Sequence, residues 1–413
     1  MLMSVDSSPA ESPSVNTGVS TAREQIRPHI AALDGLRFIA AACVLIAHGF
    51  HYLVILQDNT QISSYNAPII ALSTVGMTLF FVLSGFVIHY NYAATVSLPG
   101  GKWEFFVARF ARLYPLFLLI FIIETIDIFK HPDGKTDLIG PLPFFLTFTE
   151  SWWFWGFGDR VADEAYSNAT GLMWSLSTEA FFYLIYPMVA PWLRGLAGGR
   201  LLVVGTIVAL IAAFLTSTVI NHTGHLVAFA QLYTGNPQTA QQFPHWLTFN
   251  SPWIRVFEFL LGALAAQYVM STEFGDRWAR ISGGAALAVL LSCYLYSNIE
   301  LMPISGGITT CLAFTFAIVI GASAKSGHGI SAALSSRWMV RGGQASYSLY
   351  LLHYWVMHDL GHRLADFRSI GVRVVIYLVL MVVSVLVSQI SYLGFERPTT
   401  RLTRRLLSAR RAP

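Results

Sequence analysis

Arg37 and His48 lie in the first long apolar segment, LDGLRFIAAACVLIAHGFHYL, and both have side chains that could do chemistry. On an α-helix, eleven residues correspond to a translation of about 16 Å and roughly three full turns. Both side chains therefore lie on one helix face, at opposite ends of the segment. An imidazole there is a candidate general base, although a helix–helix hydrogen bond is an equal alternative. For Arg37 taken alone, anchoring at a membrane surface is the simpler explanation.

A second pair of cationic residues, Arg109 and Arg112, occurs in the sequence FFVARFARLYPL. Residues three apart are neighbours on one helix face, so these two guanidinium groups could bind one phosphate group together. Membrane-surface anchoring explains the pair about as well.

Three carboxylates occur in apolar surroundings, at Glu179, Glu258 and Glu124. Counting the helix rise from the segment ends places Glu179 about 9 Å and His48 about 12 Å from the same surface. A carboxylate at that level could orient the imidazole and stabilise its protonated form, so Glu179 is the predicted partner of His48. For Glu258 and Glu124 structural pairing, for instance with Arg255, is favoured over chemistry.

The elements that position these residues are membrane-spanning helices. The 413 residues are 54% hydrophobic and 12% charged, and the mean hydropathy is +0.56. That charged fraction is about half of the fraction in an ordinary soluble domain. A span needs about 20 apolar residues. Ten segments satisfy this: 33–54, 68–90, 110–129, 173–193, 201–220, 253–270, 281–298, 304–322, 345–361 and 372–393. Segment 139–157 is apolar but interrupted by Pro and Gly, and could be re-entrant, interfacial or a span.

The distribution of positive charge predicts the orientation of the spans. With ten spans and a cytoplasmic N-terminus, most of the 26 Lys and Arg residues fall on the cytoplasmic side, including the basic C-terminal end. The fold predicted is therefore an all-α, polytopic helix bundle with both termini in the cytoplasm. Its parts are a disordered tail at 1–30, a membrane domain at 31–398 and a basic tail at 399–413.

Seven sequence motifs in this order resemble one known family. They are LDGLR, VGMTLFFVLSGFVI, RFARLYP, WSLSTEAFFYLIYP, FEFLLGALAA, SYSLYLLH and FERP, and together they cover roughly residues 30–398. The chain resembles the acyltransferase-3 group of integral-membrane acyltransferases, which includes bacterial O-acetyltransferases of surface polysaccharides. Each motif alone is weak, but all seven in order are specific.

The resemblance implies a role for each candidate residue. It implies that Arg109 and Arg112 engage the phosphates of coenzyme A and that His48 is the catalytic histidine, with Arg37 as its companion on the same helix. Glu179 falls on the family's acidic position. A further residue of the SYSLYLLH motif, His353, matches another recurring histidine, for which packing is slightly favoured over a place in a donor tunnel.

The function expected is acyl transfer from cytoplasmic acyl-CoA, acetyl-CoA in the first instance, to a hydroxyl of a sugar or glycolipid on the outer side of a bacterial cytoplasmic membrane. His48 and Glu179 are the expected catalytic residues, and Arg37, Arg109 and Arg112 bind the donor. The expected partners are acyl-CoA, the acceptor and the bilayer, with no metal and no nucleic acid; a homo-oligomer stays open. The alternatives are a transporter of an anionic solute or glycan precursor, and a signalling or scaffold membrane protein.

Overall fold

The computed structural model describes residues 27–51, 67–128, 142–154, 169–273, 275–299, 306–365 and 369–409. Within them helices predominate and strands are absent, so the all-α prediction is confirmed for this part of the chain. The helices named below are α1 (Ala31–Phe50), α2 (Ala67–Tyr92), α3 (Gly101–Ile128), α4 (Leu142–Thr147), α5 (Ala169–Arg194), α6 (Gly199–Asn221), α7 (Thr223–Thr234), α8 (Pro252–Ser271), α9 (Asp276–Ile299), α10 (Gly306–Lys325), α11 (Arg337–Gln344), α12 (Ser346–Trp355), α13 (Ile370–Ser391) and α14 (Arg397–Ala409).

A helix overlaps each of the ten segments that the sequence predicts to span the membrane. Six helical stretches of the described chain are long and apolar enough to cross a membrane: Ala31–Phe50, Ala71–Tyr92, Gly101–Ile126, Gly199–Asn221, Pro237–Ser271 and Ile370–Ser408. Their outward faces carry many exposed large apolar side chains, especially on α6 and α13. These helices have the character of membrane spans, while the count of ten stays a prediction.

The ambiguous segment 139–157 does not form one long helix in its described part. Helix α4 has six residues, which is about 9 Å of helix and far short of the roughly 30 Å of a hydrocarbon core. A 3₁₀ turn at Glu150–Trp152 follows, and the indole of Trp152 donates a hydrogen bond to the Ser177 carbonyl of α5 at 3.0 Å. Residues 142–154 therefore lie against α5 without crossing as a single helix.

Helices α2 and α8 form a very close packing contact in the bundle. A Cβ atom on Gly85 would lie 1.9 Å from the Phe259 carbonyl oxygen, and one on Gly262 would lie 1.9 Å from the Val82 carbonyl oxygen. Each glycine thus allows the backbone of the other helix to come close, as small residues do between membrane helices. Gly85 in the sequence FFVLSGF is consequently a packing residue.

A buried ion pair adds a polar contact between the same two helices. Arg255 and Glu258 of α8 pair with each other, and the Thr78 hydroxyl of α2 donates to Glu258 at 3.3 Å. The guanidinium also lies over the rings of Phe81 and Phe249, at 5.1 and 5.0 Å. The predicted structural pairing of Glu258 with Arg255 is therefore confirmed.

Helix α1 packs between α2 and the C-terminal helices α11 and α12. Helix α12 is followed by a π-helical turn at Val356–Leu360, which is separated from the SYSLYLLH motif by two residues, and α13 packs alongside α12. This arrangement brings the end of α12 against the end of α1, which is where the two candidate histidines lie.

Candidate active site

His48 of α1 and His353 of α12 form a hydrogen-bonded pair. His48 Nδ1 lies 3.0 Å from His353 Nε2, and the two rings are nearly parallel, with centroids 5.3 Å apart. His353 is 1% exposed and His48 is partly buried. Packing was the favoured interpretation of His353, but the structure places its ring directly against the candidate base.

The hydrogen bonds determine the tautomers of a neutral pair. His353 Nδ1 lies 3.1 Å from the Leu349 carbonyl oxygen, which can only accept, so Nδ1 of His353 carries the proton. Its Nε2 is then an acceptor, and His48 Nδ1 must donate to it. The basic lone pair of His48 is thereby left on Nε2. One backbone carbonyl thus assigns the proton positions of both rings.

All three candidate donor-binding arginines line one cavity. Arg37 comes from α1, while Arg109 and Arg112 come from α3. Among the charged residues that line the cavity, Glu179 is the carboxylate, while Asp34 pairs with Arg37 at 3.2 Å and Glu396 interacts with Arg112 from beside the lining. The lining itself therefore carries three guanidinium groups and one carboxylate, a composition that favours an anionic ligand.

Arg109 is held in place by tyrosine side chains. Its Nη2 donates to the Tyr92 hydroxyl at 2.9 Å, and its guanidinium lies 4.7 Å from the Tyr92 ring centroid and 5.9 Å from that of Tyr183. A planar guanidinium stacked on aromatic rings keeps a fixed orientation, which a lysine ammonium would not. Sequence reasoning did not find Tyr92 or Tyr183, because neither is charged and aromatic residues are common throughout the chain.

Glu179 lines the arginine cavity, whereas the count of helix rise from the sequence predicts that it lies level with His48. Its carboxylate accepts hydrogen bonds from the Ser84 hydroxyl of α2, at 2.8 Å, and from the Tyr183 hydroxyl. The structure therefore groups Glu179 with the arginines of a cavity that His48 does not line, and the assignment of Glu179 to the catalytic set stays a prediction.

Tyr350 and Ser175 form the end of the cavity that approaches the histidines. The Ser175 hydroxyl donates to the Tyr350 hydroxyl at 2.7 Å, and both residues line the cavity. Tyr350 precedes His353 by less than one turn of α12, and the two ring centroids are 5.9 Å apart. His48 and His353 are not lining residues, but the Tyr350 ring, which lines the cavity, lies beside the His353 ring.

Comparisons with known proteins match nearly the whole chain. A family model described as an acyltransferase domain, of the acyltransferase-3 type, matches residues 30–393. The chain is 28% identical to the acyltransferase MdmB of Streptomyces mycarofaciens, over 81% of this chain and 80% of that protein. It is 24% identical to nodulation protein 10 of Rhizobium leguminosarum bv. viciae, over 80% of this chain and 84% of that protein.

The chain is also similar to part of a longer protein. It is 23% identical to the O-acetyltransferase OatA of Staphylococcus aureus, over 90% of this chain and 57% of that protein. No solved structure matches the chain.

Proposed function

The chain belongs to the acyltransferase family whose model matches residues 30–393, and we propose that this acyltransferase moves an acetyl group from acetyl-CoA to a sugar hydroxyl across the membrane. The donor enters from the cytoplasm and the acceptor from the outer side, in a bundle of ten spans with cytoplasmic termini. The observation that carries the proposal is the His48–His353 pair beyond the end of an arginine-lined cavity. A relative named O-acetyltransferase supports acetyl as the group moved.

The proposed donor fits the spacing between the arginines and the histidine. About 13 bonds separate the sulfur of coenzyme A from its first phosphorus, which at about 1.2 Å per bond in an extended chain is about 15 Å. Arg37 and His48 are about 16 Å apart along α1. A thioester beside His48 would therefore leave the diphosphate beside Arg37, Arg109 and Arg112.

The transfer step uses the lone pair of His48 Nε2. The imidazole accepts the proton of the acceptor hydroxyl while the oxygen attacks the thioester carbonyl carbon. The tetrahedral intermediate collapses as the carbon–sulfur bond breaks, and the proton on Nε2 passes to the departing thiolate. The products are an O-acyl ester and free coenzyme A. His353 accepts from Nδ1 throughout and stabilises the imidazolium that forms.

Tyr350 must allow the thioester to reach His48. Its ring lines the cavity and lies 5.9 Å from the His353 ring, and its hydroxyl is held by Ser175 and by the Leu172 carbonyl, to which it donates at 3.2 Å. We expect the pantetheine arm to pass beside this ring or to displace it. The aromatic side chain also limits access of water to the thioester, which protects it from hydrolysis.

The proposal is tested with purified full-length protein in detergent and acetyl-CoA. Acetyl-CoA should bind, and free thiol should be released when an acceptor probe such as N-acetylglucosamine oligosaccharides is added, with the acetylated sugar detected by mass spectrometry. His48→Ala should bind the donor normally and release no thiol above background. A parallel comparison of surface glycans from cells carrying the wild type or His48→Ala should show O-acetyl groups only with the wild type.

Two results would contradict the proposal. Absence of acetyl-CoA binding by correctly folded protein would remove the donor. Solute movement that persists in His48→Ala, without thiol release by the wild type, would favour a transporter.

A further inference from the structure

Helix α14 carries four arginines that have no role in the proposed transfer step. Arg397, Arg401, Arg404 and Arg405 are all exposed. At 100° per residue they cover about 100° of the helix circumference. No described carboxylate forms an ion pair with any of the four. The helix therefore presents a concentrated, uncompensated positive surface.

The packing of α14 places one of these arginines at the edge of the side that contacts α3. The helix packs against α3, the helix that carries Arg109 and Arg112. Its half-buried positions are Thr399, Thr400, Thr403 and Leu407, which form one side. Arg404 follows Thr400 by four residues and so borders the packed side, whereas Arg405 points about 180° away from the centre of that side.

In the proposed orientation, Arg404 lies on the cytoplasmic side of the groups that lead into the cavity. Its charge acts on the hydroxyl of Tyr92, the residue to which Arg109 donates at 2.9 Å. Tyr92 is the last residue of α2, and Arg109 lies in the first third of α3. Arg404, Tyr92 and Arg109 therefore run from the exposed surface to the wall of the donor cavity.

We propose that Arg404 binds the 3′-phosphate of the nucleotide part of coenzyme A. This inference rests on the proposed function. If the diphosphate occupies the cavity beside Arg109 and Arg112, the adenosine must extend past Tyr92 toward the cytoplasm, and the 3′-phosphate is its only further anion. A guanidinium without a carboxylate partner can form two parallel hydrogen bonds to that phosphate.

An anionic lipid headgroup offers similar phosphate chemistry to the same helix. The exposed Leu402 and Leu406 lie beside the basic surface, an arrangement that also suits a helix at a membrane surface. The two possible sources of the phosphate, coenzyme A and a lipid headgroup, can be distinguished by measurement. Dephospho-coenzyme A lacks the 3′-phosphate and is otherwise the same ligand as coenzyme A. A lipid site would be insensitive to that difference.

The test is the affinity of full-length protein in neutral detergent for coenzyme A and for dephospho-coenzyme A. Wild type should bind coenzyme A about tenfold more tightly, since hydrogen bonds to a charged group are worth about this much. Arg404→Gln should lose that preference by weakening the binding of coenzyme A about tenfold, and it should bind dephospho-coenzyme A as the wild type does. The unchanged second affinity is the control for folding. Arg405→Gln, on the opposite side of the helix, should keep the full preference.

The possible failures are distinguishable. If wild type binds neither ligand, the proposed function fails. If wild type prefers coenzyme A and Arg404→Gln keeps that preference, Arg404 does not bind the 3′-phosphate and the inference is overturned. It is also overturned if Arg404→Gln changes only the binding of the protein to vesicles containing phosphatidylglycerol, which would assign the helix to lipid.

Discussion

Nδ1 of His48 and Nε2 of His353 lie 3.0 Å apart, although 305 residues separate them in the chain. The Leu349 carbonyl orients the His353 ring, and the His353 ring can therefore orient the His48 ring. In a Ser–His–Asp triad a carboxylate performs this function and also supplies a negative charge. A neutral imidazole supplies orientation and a hydrogen bond, so in the proposed reaction His353 is a positioning residue whose contribution to kcat can be separated from substrate binding.

Replacing His353 by Leu should lower kcat by about a hundredfold or more, because the acceptor for His48 Nδ1 is lost and the wrong tautomer becomes populated. The dissociation constant for acetyl-CoA should stay unchanged, since the residue does not line the arginine cavity. His353→Gln, whose amide oxygen can accept the same hydrogen bond, should recover part of kcat. Steady-state kinetics together with a direct binding assay measure both quantities. Equal losses in the Leu and Gln variants would indicate that His353 acts only through packing.

Replacing Arg109 by Gln should weaken acetyl-CoA binding by about tenfold or more, since one charge-assisted contact to phosphate is lost. Arg109→Lys should restore little, because the bond to the Tyr92 hydroxyl and the stacking on its ring need a planar guanidinium. Isothermal titration calorimetry in detergent gives the dissociation constants. The matched control is Arg200→Gln at the exposed start of α6, which should bind the donor normally. A lysine variant as tight as wild type would argue against this geometry.

The Glu179→Gln variant distinguishes between two roles of this residue. Glu179 lies among the arginines, where its carboxylate repels the phosphates of the donor. Glu179→Gln removes that repulsion and should tighten acetyl-CoA binding several-fold. In this case kcat should fall far less than in His48→Ala. If Glu179 orients His48 instead, kcat should fall about as far as in the His353→Leu variant while donor binding stays constant. Measuring kcat and the dissociation constant on the same preparation decides between them.

The close contact of α2 and α8 should be intolerant of any added side-chain atom. Gly85→Ala would place a Cβ atom 1.9 Å from the Phe259 carbonyl oxygen, and separating the helices should cost about 1–3 kcal/mol or more. The expected result is a lower thermal unfolding midpoint in detergent. Gly371→Ala in α13 is the control, because no atom lies within 4 Å of its added Cβ and alanine is the better helix former. Equal midpoints for the two variants would argue against this close contact between α2 and α8.

The buried pair of Arg255 and Glu258 should matter for stability far more than for chemistry. Glu258→Leu leaves a buried guanidinium without its carboxylate and should cost about 3–5 kcal/mol. The double variant Arg255→Met with Glu258→Leu should recover most of that loss, because neither charge remains to be compensated. Thermal unfolding of the single variants Glu258→Leu and Arg255→Met and of the double variant gives the coupling free energy between the two residues. Donor affinity should be normal in every variant that folds, and a selective loss of turnover would place the pair in the catalytic machinery.

Much of the helix content follows from local sequence. A run of about 20 apolar residues has few alternatives to a helix in a membrane, since every backbone polar group must be satisfied internally. The overlap of helices with the ten segments reflects this. Segment ends were less predictable: α3 begins at Gly101, nine residues before the predicted start, because Lys102 and Glu104 are charged yet still helical.

The same reasoning selected the charged candidates but not the aromatic residues beside them. Arg37, Arg109 and Arg112 were selected because charges in an apolar chain are rare, and they line one cavity, while their role in donor binding stays a prediction. Tyr92, Tyr183 and Tyr350 could not be selected from 17 tyrosines. Their roles depend on neighbours from other helices.

By itself, the sequence determined which residues carry charge or an imidazole, which segments form helices and which family the chain resembles. Periodicity also placed Arg37 and His48 on one face of α1. Only the tertiary structure decided that His48 meets His353, that Glu179 lies with the arginines and that α14 packs beside the helix of Arg109. The reason is that helix geometry determines the position of a residue along and around the axis of its own helix. Contacts between helices depend on how each helix is rotated, how it is shifted along its axis and which helices lie next to it. Close packing of the whole bundle determines these quantities.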